Sequence, residues 1–198
     1  MSIVVLASGG LDSTLVGVMA QEEKAAIYPL FIDYGQRAAK KEWETCQYVH
    51  KQLGLPAPIR MDLGGYGKVI SSGLTSSKMH VKDDAFTPGR NFLFLLMGSA
   101  YAYQVGASAV AIGLLSQEFS LFPDQREDFV KEAERAIGIA LGRKITIVMP
   151  LSEFNKADVV KLAQAKGISG TYSCHTGMEQ PCGQCISCLE FGHITQGG

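Results

Sequence analysis

Residues 8–14 read Ser8-Gly9-Gly10-Leu11-Asp12-Ser13-Thr14 and separate a short apolar run from a segment with helical spacing. The run, residues 3–7, is rich in β-branched side chains and is typical of a strand buried on both faces. Two glycines let the backbone approach a ligand closely and adopt positive φ. The amide N–H groups that follow face the positive end of a helix dipole, so this order of strand, glycine turn and helix predicts an anion site.

A simpler interpretation of the same stretch is a glycine turn before a helix that Asp12 or Ser13 caps. The context favours the anion site, because hydroxyl groups of Ser8, Ser13 and Thr14 accompany the glycines in a strand-to-helix connection. The stretch is not a Walker A loop, since no lysine follows at the required spacing, and it is not GxGxxG.

Strands alternate with helices five times outward from this loop. Apolar runs predict strands at residues 3–7, 25–32, 57–61, 107–113 and 145–148, and helical spacing predicts helices at 12–22, 38–53, 92–104, 124–141 and 156–165. The alternation predicts an α/β fold, a Rossmann-like doubly wound parallel five-stranded sheet. Ligands of such sheets bind at the carboxyl ends of the strands, where the unusual loops 8–13, 33–37 and 114–126 lie. Residues 63–88 have no clear period and are predicted to be a long, partly mobile loop.

Length and charge limit the function classes. A length of 198 residues favours one domain, residues 1–168, with residues 169–198 as an appended tail. The 18 Lys and Arg nearly balance the 19 Asp and Glu, so we expect no broad basic face for nucleic acid. No apolar run reaches the roughly 18 residues of a membrane helix, and residues 1–7 show no export signal. We therefore expect a cytoplasmic protein with neither membrane nor nucleic-acid partners.

The tail holds four of the five cysteines. Short C-x2-C steps let a chain fold around a metal ion, and four thiolates bind Zn²⁺ tetrahedrally. We therefore predict a structural zinc site that staples the tail to the domain, with an iron–sulfur cluster as the alternative. His175 or His193 could replace one thiolate, whereas Cys46 is expected to be a packing residue. The predicted ligands are Cys174, Cys182, Cys185 and Cys188.

Residues 8–13 resemble the pyrophosphate-binding loop SGGxDS of the ATP pyrophosphatase, or PP-loop, family. The resemblance implies an enzyme that cleaves ATP between the α and β phosphates and activates a substrate oxygen as an adenylate. It assigns ATP binding to Ser8, Gly9, Gly10, Leu11, Asp12, Ser13 and Thr14. Asp12 would also hold Mg²⁺, which neutralises the leaving pyrophosphate.

Further motifs narrow the resemblance. They are Phe31-Ile32-Asp33-Tyr34-Gly35-Gln36-Arg37, Pro88-Gly89-Arg90-Asn91, Phe122-Pro123-Asp124-Gln125-Arg126, and Pro150-Leu151 followed by Lys156-Ala157. Together with the cysteines they make nearly the whole chain resemble the 7-cyano-7-deazaguanine synthases, PP-loop enzymes of the queuosine pathway with an adenine-nucleotide α-hydrolase-like fold. The resemblance implies that ATP adenylates the carboxylate of 7-carboxy-7-deazaguanine, that free ammonia displaces AMP, and that a second activation dehydrates the amide to the nitrile.

The resemblance also implies residue roles. It assigns catalysis to Asp12, Arg90 and Lys156, further ATP contacts to Tyr34, Gln36, Arg37 and Arg90, and substrate contacts to Glu118, Phe119, Phe122, Asp124 and Arg126. Each assignment has a plainer alternative. Arg90 could start a helix that Asn91 caps, residues 34–37 could be a helix-entry loop with an exposed arginine, and Lys156 could be solvated. The aromatic side chains near Pro123 could be helix-entry packing.

Two departures from the family pattern leave the product open. Leu121, Phe122 and Gln125 stand where the family commonly has glycine, tyrosine and cysteine, and no arginine follows Cys188 within a few residues. A second hypothesis is therefore a paralogue, of the kind found in bacterial antiviral operons, that stops at the amide or joins the deazaguanine to an amine of a partner protein. A third is a non-catalytic nucleotide-binding zinc module, and a tRNA thiolation enzyme fits less well. The family often forms homodimers, which is the expectation here.

Overall fold

The strands and helices alternate as the sequence predicts. The structure, a computed structural model, describes residues 1–116, 118 and 120–196. The strands are β1 (Ser2–Leu6), β2 (Ala26–Asp33), β3 (Ile59–Asp62), β4 (Ala109–Ala111) and β5 (Thr146–Val148). The helices are α1 (Leu11–Glu22), α2 (Ala39–Gln52), α3 (Gly65–Val69), α4 (Arg90–Val105), α5 (Glu127–Leu141), α6 (Lys156–Ala165) and α7 (Ile186–Gln196).

The five strands form one parallel sheet in the order β3-β2-β1-β4-β5. Side chains alternate between its faces, so Val4 and Leu6 of β1 pack toward α4 and α5, whereas Ile3 and Val5 pack toward α1 and α6. Phe31 and Trp43 place α2 on the second face. Both faces are covered, which confirms the predicted doubly wound α/β fold.

The strand order creates the position of the site. After β1 the chain moves outward to β2 and β3, and it then returns across the sheet to β4 on the other side of β1. The loops that follow β1 and β4 therefore diverge at the carboxyl edge and leave a crevice between them.

Two segments differ from the sequence prediction. Residues 63–88 were predicted to have no regular structure, but they contain α3 and are tied to the domain through Gly67, whose amide donates to the Tyr34 carbonyl at 2.8 Å. The tail contains α7, which has no clear apolar period and was not predicted. The helix expected at 124–141 begins at Glu127, because Pro123–Gln125 form a separate 3-10 turn. Among the described residues, no helix combines the length and apolar character needed to cross a membrane.

Candidate active site

Two adjoining cavities open at the carboxyl edge of the sheet, in the crevice between the loops after β1 and β4. The larger, of about 270 Å³, lies over the ends of β1 and β2 and beside α4. The smaller, of about 160 Å³, lies between the loop that follows β4 and the tail helix α7. Both cavities are lined by Asp12, Arg90, Gly113, Leu114, Gln125 and His175. These six residues mark the junction of the two cavities.

The phosphate loop, residues 8–14, is closed by its own hydroxyl groups. The Ser8 amide donates to Ser13 Oγ at 3.1 Å, and the Thr14 hydroxyl donates to the Gly10 carbonyl at 2.8 Å. Helix α1 begins at Leu11, with Gly10 in the capping position, so the alternative in which Asp12 or Ser13 caps the helix is wrong. Ser8, Asp12 and Ser13 line the larger cavity.

The two glycines of the phosphate loop serve packing as well as access. Gly9 has φ +78°, and a Cβ there would lie 2.6 Å from the Cys46 amide nitrogen of α2. Gly10 has an ordinary φ of −76° and faces the tail, where the Leu11 amide donates to Ser173 Oγ at 3.4 Å. Positive φ is therefore confirmed for Gly9 alone, and the loop lies between α2 and the tail.

Lys156 is paired with Asp12 and is not a solvated lysine. Its Nζ lies 2.9 and 2.8 Å from the two carboxylate oxygens of Asp12, and its side chain is 11% exposed. Asn155 caps α6 by accepting the Asp158 amide at 2.9 Å, which fixes the start of the helix and with it the direction of Lys156. Two of the three residues predicted to be catalytic are thus brought into contact across 144 residues of chain, and their catalytic role stays a prediction.

Glu190 of α7 joins this pair from the tail. Its carboxylate is 3.7 Å from Lys156 Nζ, and the Lys156 ammonium lies 4.8 Å from the ring centre of Phe191. The pKa of Glu190 is raised, mainly by burial and also by the negative charge of Asp12, while the positive charge of Lys156 opposes the rise. The sequence shows only that no arginine follows Cys188, and nothing in it indicates that this acidic side chain lines the smaller cavity.

Arg90 is the first residue of α4 and lines both cavities. Gly89 precedes it with φ +73°, and the guanidinium carbon lies 5.9 Å from the ring centre of Phe94. Its Nε is buried without a hydrogen-bond partner. Asn91 does not cap the helix: its side-chain amide donates to the Asp124 carbonyl at 2.9 Å, and its backbone amide donates to Asp124 Oδ2 at 3.1 Å.

The side chains of Tyr34, Gln36 and Glu42 form a polar part of the wall of the larger cavity, next to the end of β2. The Gln36 amide donates to Glu42 Oε2 at 2.8 Å, and Gln36 Oε1 accepts the Tyr34 amide at 2.9 Å. Burial raises the pKa of Glu42 to about 7, against the hydrogen bond from Gln36 and the charge of Arg90. Burial likewise raises the pKa of Tyr34 to about 12, and Arg90 opposes that rise. Tyr34 and Gln36 both line the larger cavity, and their contact with ATP stays a prediction.

Other predicted residues lie outside the two cavities. Thr14 is buried beneath the loop, and Leu11 packs in the core. Arg37 donates to the Gly73 carbonyl at 3.1 Å, which ties residues 63–88 to the end of β2. The expectation that it is simply exposed is therefore wrong.

The predicted substrate loop is divided between cavity and scaffold. Phe122 lines the smaller cavity and lies 5.3 Å from Phe86, measured between ring centres. Asp124 is buried and holds Asn91 at the start of α4. Arg126 pairs with exposed Asp128 at 3.2 Å. Glu118 is exposed and lines neither cavity, and Phe119 lies outside the described residues.

The Gln125 side chain holds this loop in shape. Its Oε1 accepts the backbone amides of Leu121 and Phe122, each at 2.9 Å. Because Gln125 also lines both cavities, it connects the fold of the loop to the junction.

The four tail cysteines converge as predicted. Their sulfur atoms all lie within 4.8 Å of one another, and the Sγ atoms of Cys182 and Cys188 are 3.9 Å apart. Tetrahedral Zn²⁺ with Zn–S bonds of about 2.3 Å requires sulfur atoms about 3.8 Å apart. The amides of Cys182, Cys185 and Cys188 donate to cluster sulfur atoms at 3.3–3.4 Å, and such hydrogen bonds orient and stabilise thiolate ligands. The donor set fits zinc, and Cys46 lies apart in α2.

His175 follows the first of these cysteines and lies at the cavity junction. Its Nδ1 is buried and has no hydrogen-bond partner. Burial, with the positive charges of Arg90 and Lys156, lowers its pKa to about 4. The sequence suggests His175 only as a substitute metal ligand. Its position next to Cys174 is the sequence feature that could have indicated a functional role, because a residue beside a metal ligand has a restrained position.

Comparisons with known proteins identify the family and the fold of this chain. The protein-family model described as "Queuosine biosynthesis protein QueC" matches residues 2–191. Three solved structures share the fold at low sequence identity. One is NMN synthetase from Francisella tularensis (16% identity, 96% of this chain and 71% of that chain covered, TM-score 0.56). Another is a 4-thiouridine synthetase in an RNA complex with bound ATP (18%, 98% and 50%, TM-score 0.55).

The third is a predicted subunit of tRNA methyltransferase from Methanocaldococcus jannaschii (17%, 83% and 74%, TM-score 0.52). At these identities the structures show the fold alone, whereas the family model covers nearly the whole chain. The chain therefore belongs to the QueC family of queuosine biosynthesis proteins.

Proposed function

We propose that this protein uses ATP to activate the carboxylate of 7-carboxy-7-deazaguanine and combines it with ammonia to give 7-cyano-7-deazaguanine. Membership of the QueC family supports an ATP-dependent, adenylation-type reaction. The observation that carries the proposal is the junction of two cavities at which Asp12, Arg90 and His175 meet. Two reactants can bind side by side there, with their reacting groups between the same side chains.

In this proposal the nucleotide occupies the larger cavity. Its phosphates lie against Ser8, Ser13 and the start of α1, where hydroxyl groups and the helix dipole favour an anion. The guanidinium of Arg90 faces the same space and adds positive charge. Asp12 would hold Mg²⁺ through its carboxylate oxygens, and the ion would supply positive charge to offset that of the leaving pyrophosphate.

The acid occupies the smaller cavity. The Phe122 ring, backed by Phe86, offers a flat apolar surface on which a deazapurine stacks. The carboxylate of the bound acid then points toward Lys156 and Arg90, whose positive charges offset the negative charge of the carboxylate. Glu118, Phe119, Asp124 and Arg126 stay predictions as substrate contacts, and for Asp124 and Arg126 the partners described above support roles in the scaffold.

The reaction follows from this arrangement. A carboxylate oxygen attacks the α-phosphorus, the bond to the bridging oxygen of the β-phosphate breaks, and pyrophosphate leaves. The nitrogen of ammonia then attacks the acyl carbon, AMP leaves with the bonding electrons, and the nitrogen releases a proton. A second ATP activates the amide oxygen, which leaves with AMP as the nitrile forms and the remaining N–H protons are released.

The test is exchange of labelled pyrophosphate into ATP, dependent on the acid, followed by product mass with ammonium. We expect exchange and a nitrile. An amide end product, or a mass increase on a protein amine, would contradict the nitrile and support the paralogue hypothesis. ATP binding without exchange or AMP formation would contradict adenylation altogether.

The Asp12→Ala variant gives the strongest single-residue test. We expect it to lose exchange by roughly 10³-fold, since it removes the carboxylate at the junction. Its melting temperature should change little, because Asp12 is partly exposed and its partner Lys156 keeps Glu190 nearby. The matched control is Asp128→Ala on the exposed face of α5, for which exchange should be unchanged. Turnover in the Asp12 variant would contradict the assignment.

A further inference from the structure

Two of the unpartnered buried polar atoms lie at the cavity junction. Within the described part of the chain, the buried side-chain nitrogen and oxygen atoms that have no hydrogen-bond partner are Arg90 Nε, Ser99 Oγ and His175 Nδ1. Leaving such an atom unpaired costs roughly 1–3 kcal/mol. Arg90 and His175 line both cavities, whereas Ser99 lines neither. A ligand at the junction can satisfy both nitrogen atoms, and this points to His175 as a ligand contact.

His175 is held in place on both sides. Before it, Cys174 belongs to the sulfur cluster, and the Ser173 hydroxyl accepts the Leu11 amide of the phosphate loop. After it, Gly177 has φ +75° and packs so closely that a Cβ would lie 2.7 Å from the Arg37 carbonyl. The imidazole is therefore fixed between two anchored segments and is preorganised for one contact.

The position of His175 identifies that contact. In the proposed function the nucleotide fills the larger cavity and the acid fills the smaller one. The α-phosphate, which the acid attacks, then lies at the junction of the two cavities, next to the side chains that line both. Arg90 brings a positive charge to this point. The imidazole of His175 brings a directional N–H group that adds no charge of its own.

We propose that His175 is a catalytic residue whose Nδ1–H donates a hydrogen bond to an α-phosphoryl oxygen while the acid displaces pyrophosphate. The inference rests on the proposed function and assigns a role to a residue of the tail. The proton stays on His175 throughout, and the bonds that form and break are those of the adenylation step. Donors aimed at oxygens that gain charge in a transition state contribute mainly to kcat.

The test compares two variants of His175. In His175→Ala we expect kcat of acid-dependent pyrophosphate exchange to fall roughly 10²-fold, with KM for ATP changed only a few-fold. His175→Asn keeps a side-chain amide near the place of Nδ1 and should recover about a tenth or more of the lost rate. The matched control is His50→Asn, a buried histidine whose Nδ1 pairs with the Pro56 carbonyl at 2.7 Å outside both cavities. Its exchange should equal that of the wild type.

Three outcomes would overturn the proposal. One is exchange by His175→Ala within three-fold of the wild type. Another is His175→Asn being as slow as His175→Ala at equal zinc content and melting temperature, because the loss would then not follow the hydrogen bond. The third is loss of zinc in parallel with activity, which would make the role structural.

A binding measurement separates this proposal from the proposed function. Adding AMP to nitrogen-15-labelled protein should shift the Nδ1 resonance of His175, and an unchanged resonance would overturn the contact. Wild-type protein that shows this shift but no exchange would instead contradict the adenylation reaction.

Discussion

The phosphate loop and the cysteine-rich tail form two walls of the same site, but they are held in different ways. The loop is closed by hydrogen bonds among residues 8–14, all within one strand-to-helix connection. In the tail, residues 169–185 form no helix or strand, and four cysteine sulfur atoms draw residues 174–188 together. The loop is therefore closed mainly by local hydrogen bonds, whereas we expect the described part of the tail to depend on a metal held by the four cysteines.

The two walls nevertheless contact each other directly. The Tyr172 amide donates to the Gly9 carbonyl at 3.0 Å, and Leu11 donates to Ser173. The tail also brings His175 and Glu190 into the cavities. Disturbing the tail should therefore change the site as well as stability.

The largest expected effect comes from breaking the sulfur cluster with Cys185→Ser. Cys185 is fully buried among the other ligands, so we expect loss of bound zinc and a fall in the free energy of unfolding on the order of 4 kcal/mol or more. Metal analysis and thermal melting measure both. Amide hydrogen exchange should show that the tail loses protection first, while β1 and α1 keep theirs.

Cys46→Ala is the control for that experiment. Cys46 is also fully buried but lies in α2 beside the phosphate loop, outside the cluster. This variant should keep its zinc, whatever packing it loses. If metal-free wild-type protein melted like the holoprotein, the tail would not depend on the metal and the contrast between the two walls would disappear.

How much of the fold follows from the sequence depends on how local the signal is. Periodicity identifies β1 and α1 closely, and α6 is predicted with the bounds that the structure shows. It overextends β4, because the Ala107 amide donates to the Ala102 carbonyl at the end of α4 instead of joining the sheet. Periodicity gives no prediction for residues 63–88, because their structure depends on contacts between residues far apart in sequence. One example is the hydrogen bond from the Tyr66 hydroxyl to the Pro88 carbonyl.

A smaller effect distinguishes the two glycines of the phosphate loop. Gly9→Ala combines a φ of +78° with a clash against the backbone of α2, so we expect a loss of roughly 2–4 kcal/mol in unfolding free energy. For Gly10→Ala, which has an ordinary φ and whose Cβ would have Ser8 Oγ as its nearest neighbour at 3.3 Å, we expect less than half of that. Chemical denaturation measures both. Equal losses would mean that contact with α2 does not determine the loop.

The candidate site can be predicted from the sequence only in part, because local motifs do not show which distant residues come together. Asp12, Arg90 and Lys156 stand in recognisable motifs and meet in space. His175, Glu190 and Glu42 stand in no motif that indicates a site, and they reach the cavities through the tail and through α2. Conversely, Asp124 lies within a motif, but its carboxylate accepts a hydrogen bond from the Asn91 backbone amide. A motif identifies polar residues, but packing decides whether each faces the ligand or the scaffold.

The last expected effect depends on pH and concerns Glu42 of α2, the helix against which the phosphate loop packs. Burial raises its pKa from 4.5 to about 7, so the folded state holds this proton more tightly than the unfolded state. The stability that this proton contributes is fully present below about pH 4.5 and is lost as the pH rises to about 7. Glu42→Gln cannot ionise and should escape that loss.

The difference in unfolding free energy between Glu42→Gln and the wild type should therefore shift in favour of the variant by on the order of 2–3 kcal/mol between pH 4.5 and pH 8. Denaturation at a series of pH values measures it, with Glu44→Gln on the exposed side of the same helix as the control. Parallel pH curves for Glu42→Gln and the wild type would mean that water reaches this carboxylate freely. The α2 side of the site would then be as open as the cavity itself, and the loop would rest on a solvated helix face instead of a buried one.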